Sequence, residues 1–279
     1  MRVLLLFVLQ LCGCVYTLRG YHEDVGIPKA RRLMILEMAP RIIGGRAVSA
    51  ISQYPYQAGI VTSLTTGKTS LCGGSLISST RVITAAHCWN DGQSQALQFT
   101  VVLGTLTVFS GGTRITTRDV TVHPQWNTKA ITNDIAIVKF PTVALNNNIQ
   151  VISLPSASDV SNNFAGMTAT VTGYGKISDS QASFPPSTTL HHVSLNIITN
   201  AVCQRSFDLK LDASHLCTSG TNRVGTCDGD SGGPLMVTSQ NKKILVGIVS
   251  FGFGDSCSAG YPSVYTRVTS FLRWIQTQM

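Results

Sequence analysis

The chain has 279 residues, 43% of them hydrophobic and 12% charged, with a formal net charge of +8. That length and apolar fraction exclude a disordered polymer and allow one large domain or two small ones. The charge is no nucleic-acid signature: from Ile42 onward 15 Lys and Arg face 10 Asp, a net of +5, and only Lys242 and Lys243 are adjacent. Cations scattered without an aromatic-basic stripe read as a solvated surface.

Arg2 precedes the apolar run VLLLFVLQL, and small or short residues follow from Cys12 to Thr17. This is the pattern of a secretory signal peptide over 1–17, cut somewhere between Gly13 and Gly20. The run falls short of the ~20 apolar residues that span a bilayer, so no membrane anchor is expected. Residues 18–41 are polar, carry KARR at 29–32, and end in MAPR just before IIGG. They read as a propeptide, with Arg41 as the cut site for a trypsin-like activating protease.

Beyond Ile42 the signal is β. YPYQAGIVTSL, SLCGGSLISSTRVITAA, LQFTVVLG, IAIVKF, MTATVTGYG, LHHVSLNII, KILVGIVSF and SVYTRV are short runs rich in Val, Ile, Thr and aromatics, separated by Gly, Asn, Pro and Ser. Near the end Thr269 is placed to cap a helix with Phe271, Trp274 and Ile275 on one face. Many short strands and one late helix favour an all-β barrel or sandwich over a doubly wound fold. No N-x-S/T sequon occurs, so N-glycosylation is not expected.

Of eight cysteines, Cys12 and Cys14 belong to the leader or its edge. Cys72, Cys88, Cys203, Cys217, Cys227 and Cys257 remain, an even number suited to three disulfides in an oxidising compartment. Sequence arithmetic alone allows about 15 pairings. None of these pairs has the two-to-four-residue spacing of a zinc site, so no metal is expected.

Three separated segments carry the chemistry: VITAAHC at 82–88, NDIAIVKF at 133–140 and CDGDSGGPL at 227–235. Together with IIGG at 42–45, and in this order, they resemble the chymotrypsin-like serine endopeptidases over nearly all of 42–279. The resemblance implies two six-stranded antiparallel β-barrels packed together. The N-terminal barrel would span about 42–157, the C-terminal barrel about 158–265, and a C-terminal helix about 269–278. It implies His87 as base, Asp134 as orienting acid and Ser231 as nucleophile. A serine hydroxyl is a weak nucleophile until a base takes its proton, and imidazole suits that exchange near neutral pH. The backbone N–H groups of Gly229 and Ser231 would form the oxyanion hole. His123, His191, His192 and His215 lie outside these motifs and read as structural residues.

The same resemblance implies a zymogen. Cleavage after Arg41 would free the α-ammonium of Ile42 to pair with Asp230, next to the nucleophile. It also implies the disulfides Cys72–Cys88, Cys203–Cys217 and Cys227–Cys257. Primary specificity would rest on Gly225 at the pocket floor and on Gly252 and Ser263 in its walls, an uncharged slot for Phe, Tyr, Leu or Met. The backbones of Ser250 and Gly252 would pair with the substrate as an added strand. Asp228 either draws basic residues near the cut or faces solvent. The expected protein is a monomeric, secreted digestive chymotrypsin of the gut lumen, from an invertebrate, needing no cofactor. Its partners would be peptide and protein substrates, the activating protease and protein protease inhibitors. The alternatives are an elastase-like or collagenolytic endopeptidase and, from another class, an inactive protease-like binding protein.

Overall fold

The computed structural model describes residues 45–176, 189–253 and 256–279. Fourteen strands lie among them: β1 (Arg46–Ala47), β2 (Gln57–Leu64), β3 (Thr69–Ser78), β4 (Arg81–Thr84), β5 (Ala96–Leu103), β6 (Thr113–Thr117), β7 (Val120–Val122), β8 (Ala136–Lys139), β9 (Thr168–Gly173), β10 (His191–Ile198), β11 (His215–Thr218), β12 (Pro234–Ser239), β13 (Lys242–Phe251) and β14 (Ser263–Arg267). Among the described residues, helix is confined to α1 (Asn200–Cys203), α2 (Leu272–Thr277) and short 3-10 turns.

The strands form two antiparallel sheets. One runs β6-β5-β2-β3-β4-β8-β7 and curls into a half-barrel. The other runs β10-β11-β14-β13-β12-β9 and closes on itself through β9–β10 pairing, with β1 added at the β10 side. Alternation explains the closure. In β10, His191, Val193, Leu195 and Ile197 point inward and are buried, while Ser194 and Asn196 face solvent. Each buried Val, Leu or Ile side chain contributes about 1.5–3 kcal/mol relative to exposure. A one-residue slip would turn that whole set to water, so the register is strongly specified.

Between the sheets, polar contacts add to an apolar cluster that takes in Met236, Leu245 and Ile248 of the second sheet beside the core of the first. Gln57 of β2 is buried and accepts the hydroxyl of Thr172 on β9 at 2.5 Å. Tyr174 donates its hydroxyl to the Thr105 carbonyl at 2.9 Å. At the C-terminus Arg81 of β4 donates to the Gln278 carbonyl at 2.9 Å, placing a cation where the helix dipole is negative.

The late helix departs from the sequence reading. Residues Val268–Phe271 form a 3-10 turn and α2 begins only at Leu272, with no side chain capping it. Thr269 is buried within the turn and caps nothing; burial of Val268 and Phe271 in the larger apolar cluster, which takes in residues of both sheets, sets the chain path there instead. Ile275 is fully buried and Trp274 packs against the same core.

Candidate active site

His87 sits in the 3-10 turn Ala86–Cys88 directly after β4, whose inner residues are fully buried. Cys88 is bonded to Cys72 on β3, which pins that turn to the sheet. The remaining bridges are Cys203–Cys217 and Cys227–Cys257, so all three implied pairings are present in the structure.

Asp134 leads into β8 and is 1% exposed. Its two oxygens take three donors. The His87 N–H reaches Oδ1 at 2.9 Å, His87 Nδ1 lies 2.8 Å from Oδ2, and the Ser250 hydroxyl donates to Oδ2 at 2.6 Å. Thr266 of β14 also donates to the Asp134 carbonyl at 2.7 Å. Burial pushes this carboxyl up, but the charge and hydrogen bonds of His87 and the Ser250 hydroxyl outweigh it, leaving the group below the ordinary carboxylate value. An ionised Asp134 accepts a proton-bearing Nδ1, so the His87 ring keeps Nε2 for exchange with a reacting group.

Ser231 lies in a tight turn leading into β12. The Asp230 N–H reaches the Cys227 carbonyl, the Gly233 N–H reaches the Asp230 carbonyl, and the Gly232 N–H reaches Val249 on β13, at 3.0, 2.8 and 2.8 Å. The turn is docked on the first sheet: Gly73 of β3 donates its N–H to the Ser231 carbonyl at 2.7 Å. A Cβ on Gly73 would stand 2.9 Å from Gly233 Cα, too close for any side chain. The Cys88 sulfur is 3.8 Å from the same Ser231 carbonyl oxygen; being in a disulfide, it makes a contact and donates no proton. The Ser231 turn is thereby set against the His87 turn. Gly229 has φ +93°, a left-handed conformation that lets its amide turn away from the normal chain direction.

Asp230 is fully buried in a cage of glycines. Oδ1 accepts the Gly175 N–H at 2.7 Å and Oδ2 accepts the Cys227 N–H at 3.0 Å. Side chains at Gly173 or Gly175 would collide with this carboxylate. Arg41 and Ile42 lie outside the described residues. β1 brings the chain to this region, since Ala47 pairs with His191, and His191 with Gly173.

Of the three residues expected to shape the specificity pocket, Gly225 and Ser263 come together. A Cβ on Gly225 would be 3.1 Å from the Ser263 hydroxyl, and nothing else lies within 4 Å. Among the described residues, apart from its chain neighbours, none comes within 4 Å of such a Cβ on Gly252. Neither glycine has a positive φ, so backbone geometry demands glycine at neither position. Their smallness leaves space. Below, the Tyr265 hydroxyl bonds Thr218 Oγ1 at 3.1 Å. Burial holds that phenol far above its ordinary value, against the pull of its bonds to Thr218, Thr226 and Ser263, so the cluster consists of neutral hydroxyls.

Sequence reasoning missed several partners. Asp228 is paired with Lys176, Nζ to Oδ2 at 2.9 Å, and the Lys176 N–H donates to the Asp228 carbonyl at 2.9 Å. The resemblance points to the backbone of Ser250, whereas its hydroxyl holds Asp134. Thr266 and Gly73 gave no signal, because contacts across 132 and 158 residues leave no local pattern. A hollow beside His87 is walled by Trp126, Ile131, Ser250 and Phe251. The groupings Cys72/His87/Cys88 and Cys227/Asp228/Cys257 look like ligand sets, but their sulfurs are oxidised and no thiolate is available.

The trypsin family model matches residues 42–275. Brachyurin of Leptuca pugilator is 40% identical over 242 residues, 85% of this chain and 98% of that protein. Collagenase of Hypoderma lineatum is 32% identical over 278 residues, covering 99% and 97%. A solved structure of HL collagenase superposes with a TM-score of 0.77 at 32% identity, covering 85% of this chain and 98% of the other. With the two sheets and the Ser231, His87 and Asp134 segments joined as described, the chain belongs to the trypsin family and is a serine endopeptidase acting on peptide and protein substrates.

Proposed function

We propose that this endopeptidase cleaves after large apolar or aromatic residues through an acyl-enzyme, with His87 as base, Asp134 as orienting acid and Ser231 as nucleophile. The observation that carries the reading is the His87 Nδ1–Asp134 Oδ2 contact of 2.8 Å, held from the far sheet by Ser250 and set beside the Ser231 turn. Ser231 Oγ attacks the scissile carbonyl while His87 Nε2 takes its proton. The amides of Gly229 and Ser231 receive the developing oxyanion, each donor worth roughly 3–4 kcal/mol in the transition state. His87 then returns the proton to the leaving amine, and water repeats the sequence on the ester.

The uncharged space at Gly225, Gly252 and Ser263 supports an apolar side chain before the cut. The backbones of Ser250 and Gly252 receive the substrate as an extended strand. Activation proceeds by cleavage after Arg41, with Ile42 entering the glycine cage of Asp230; the barrels would then span about 42–157 and 158–265. The protein acts as a monomer and is secreted, and its three disulfides support the secretion. Reaction of the activated enzyme with a serine-directed phosphonate tests the site: mass spectrometry should place the adduct on Ser231, and an adduct elsewhere would overturn the assignment.

A collagenolytic activity is the second reading, favoured by the similarity to proteins named collagenase. Incubation with native triple-helical collagen, beside heat-denatured collagen as control, separates the two. Cleavage of native collagen into discrete fragments supports this second activity, whereas cleavage of the denatured form alone leaves the chymotrypsin-like reading.

A further inference from the structure

His215 opens β11 and is 2% exposed, yet its ring reaches across to the other sheet. Nε2 lies 2.9 Å from the carbonyl oxygen of Ile131. On the other edge, the Asp212 N–H donates to Nδ1 at 3.1 Å, and Asp212 Oδ1 is 3.0 Å from the same nitrogen. A neutral ring that accepts at Nδ1 carries its proton on Nε2, and a protonated ring keeps that proton. In both states Nε2 donates to Ile131.

The segment it holds is under strain. Ile131 has φ +49° and Asn133 has φ +60°, left-handed conformations that a β-branched residue in particular avoids. Such a conformation persists only when its surroundings over-determine it. Ile131 stands three residues before Asp134 and lines the hollow beside His87, together with Phe251. The His215 ring also packs edge-on against Phe251, 5.9 Å between centroids. One buried side chain therefore touches two walls of that hollow.

We propose that His215 is a positioning residue which, by holding the Ile131 carbonyl, sets the shape of the hollow and the enzyme's selectivity for the residue just upstream of the one in the Gly225 pocket. This rests on the proposed orientation of substrate along Ser250–Gly252. The tether is a matter of shape and acts in peptide binding more than in the chemical step.

The test compares His215→Phe, which keeps a ring against Phe251 but has no donor, with His215→Gln, whose amide N–H can reach Ile131. Enzyme activated from the full chain is measured on peptides with Phe before the cut and a varied upstream residue. It is also measured on a single-residue aromatic ester, which has nothing to place in the hollow. His215→Phe should raise KM for the peptides about tenfold, with kcat nearly unchanged and the ester unaffected; loss of one hydrogen bond is of that size. His215→Gln should restore most of it. Hydrogen exchange of the 128–133 amides should quicken in His215→Phe, a readout independent of turnover. Equal losses on ester and peptide, no loss at all, or a Gln variant no better than Phe would each overturn the proposal. His215→Leu carries the same comparison if the Phe variant does not fold. A wild-type enzyme that ignores the upstream residue would fail the substrate orientation, while the exchange rates still judge the tether.

Discussion

The Ser250 hydroxyl, on β13 of the closed barrel, donates at 2.6 Å to Oδ2 of Asp134, which belongs to the other sheet. The same oxygen lies 2.8 Å from His87 Nδ1. A single carboxylate atom thus joins the two halves of the molecule at the site itself. Buried charges are costly unless fully bonded, and here three donors from His87 and Ser250 meet the carboxylate.

Asp134→Asn tests that arrangement. An amide cannot accept from both His87 and Ser250 at the Oδ2 position if its NH2 lies there, so the wrong tautomer of His87 is favoured. kcat should fall by ~10⁴-fold with the fold retained. The carboxyl of Asp134 is depressed in the folded state, below the 3.8 of an unperturbed Asp. Its stabilisation is therefore fully present above that value and lost as pH falls through the folded value. Acid titration by circular dichroism should show a loss below pH 3.8 in the wild type, and Asn should remove that component. An identical acid profile in the two proteins would contradict the ionised Asp134.

Ser231→Ala removes only one oxygen from a turn held by backbone bonds to Gly73, Asp230 and Val249. Peptide hydrolysis should drop at least about a thousandfold while circular dichroism and thermal midpoint stay close to wild type. Retained turnover would remove Ser231 from the mechanism.

The fold class and the three segments that meet at the candidate site were legible in the sequence because each depends on local pattern. Strand alternation is written in HHVSLNII, and VITAAHC and CDGDSGGPL are continuous. What stayed hidden depends on distance. Nothing near Asp228 announces Lys176, 52 residues earlier, and nothing near His215 announces Ile131, 84 residues earlier. The Thr269 cap failed for another reason: a threonine before an apolar helical pattern is a good local signal, but burial in the turn Val268–Phe271 overrode it.

Activation should depend on the bond after Arg41. Asp230 sits buried among Gly173 and Gly175, and β1 already runs beside that region from Arg46. The full chain should show little activity until treated with a trypsin-like protease, and the active form should begin IIGGRAV. Asp230→Asn should leave the cleaved form at least about a hundredfold slower, by losing the charge that holds the new α-ammonium and so the order of the Gly229 donor. Full activity in the uncleaved chain would rule the latch out.

The pocket should reject Arg and accept Phe. An aromatic side chain moved from water into an apolar slot contributes ~1.5–3 kcal/mol. A guanidinium there would lose hydration against Gly225, the Ser263 hydroxyl and the neutral Tyr265 phenol, none of them anionic. Asp228 offers Arg little help, because Lys176 already stands 2.9 Å from its carboxylate. Paired peptides differing only in Phe or Arg before the cut should therefore differ in kcat/KM by at least about a hundredfold, the direction favouring Phe. Two variants locate the cause. Gly252→Val places bulk where nothing now lies within 4 Å, so it should depress Phe cleavage and spare Ala or Val substrates. Gly225→Asp brings a carboxylate beside the Ser263 hydroxyl; it should weaken Phe cleavage first, and gain on Arg only partly, because a buried charge needs further partners. If Gly252→Val leaves the Phe rate intact, the side chain before the cut goes elsewhere, and the space around Gly225 is not its pocket.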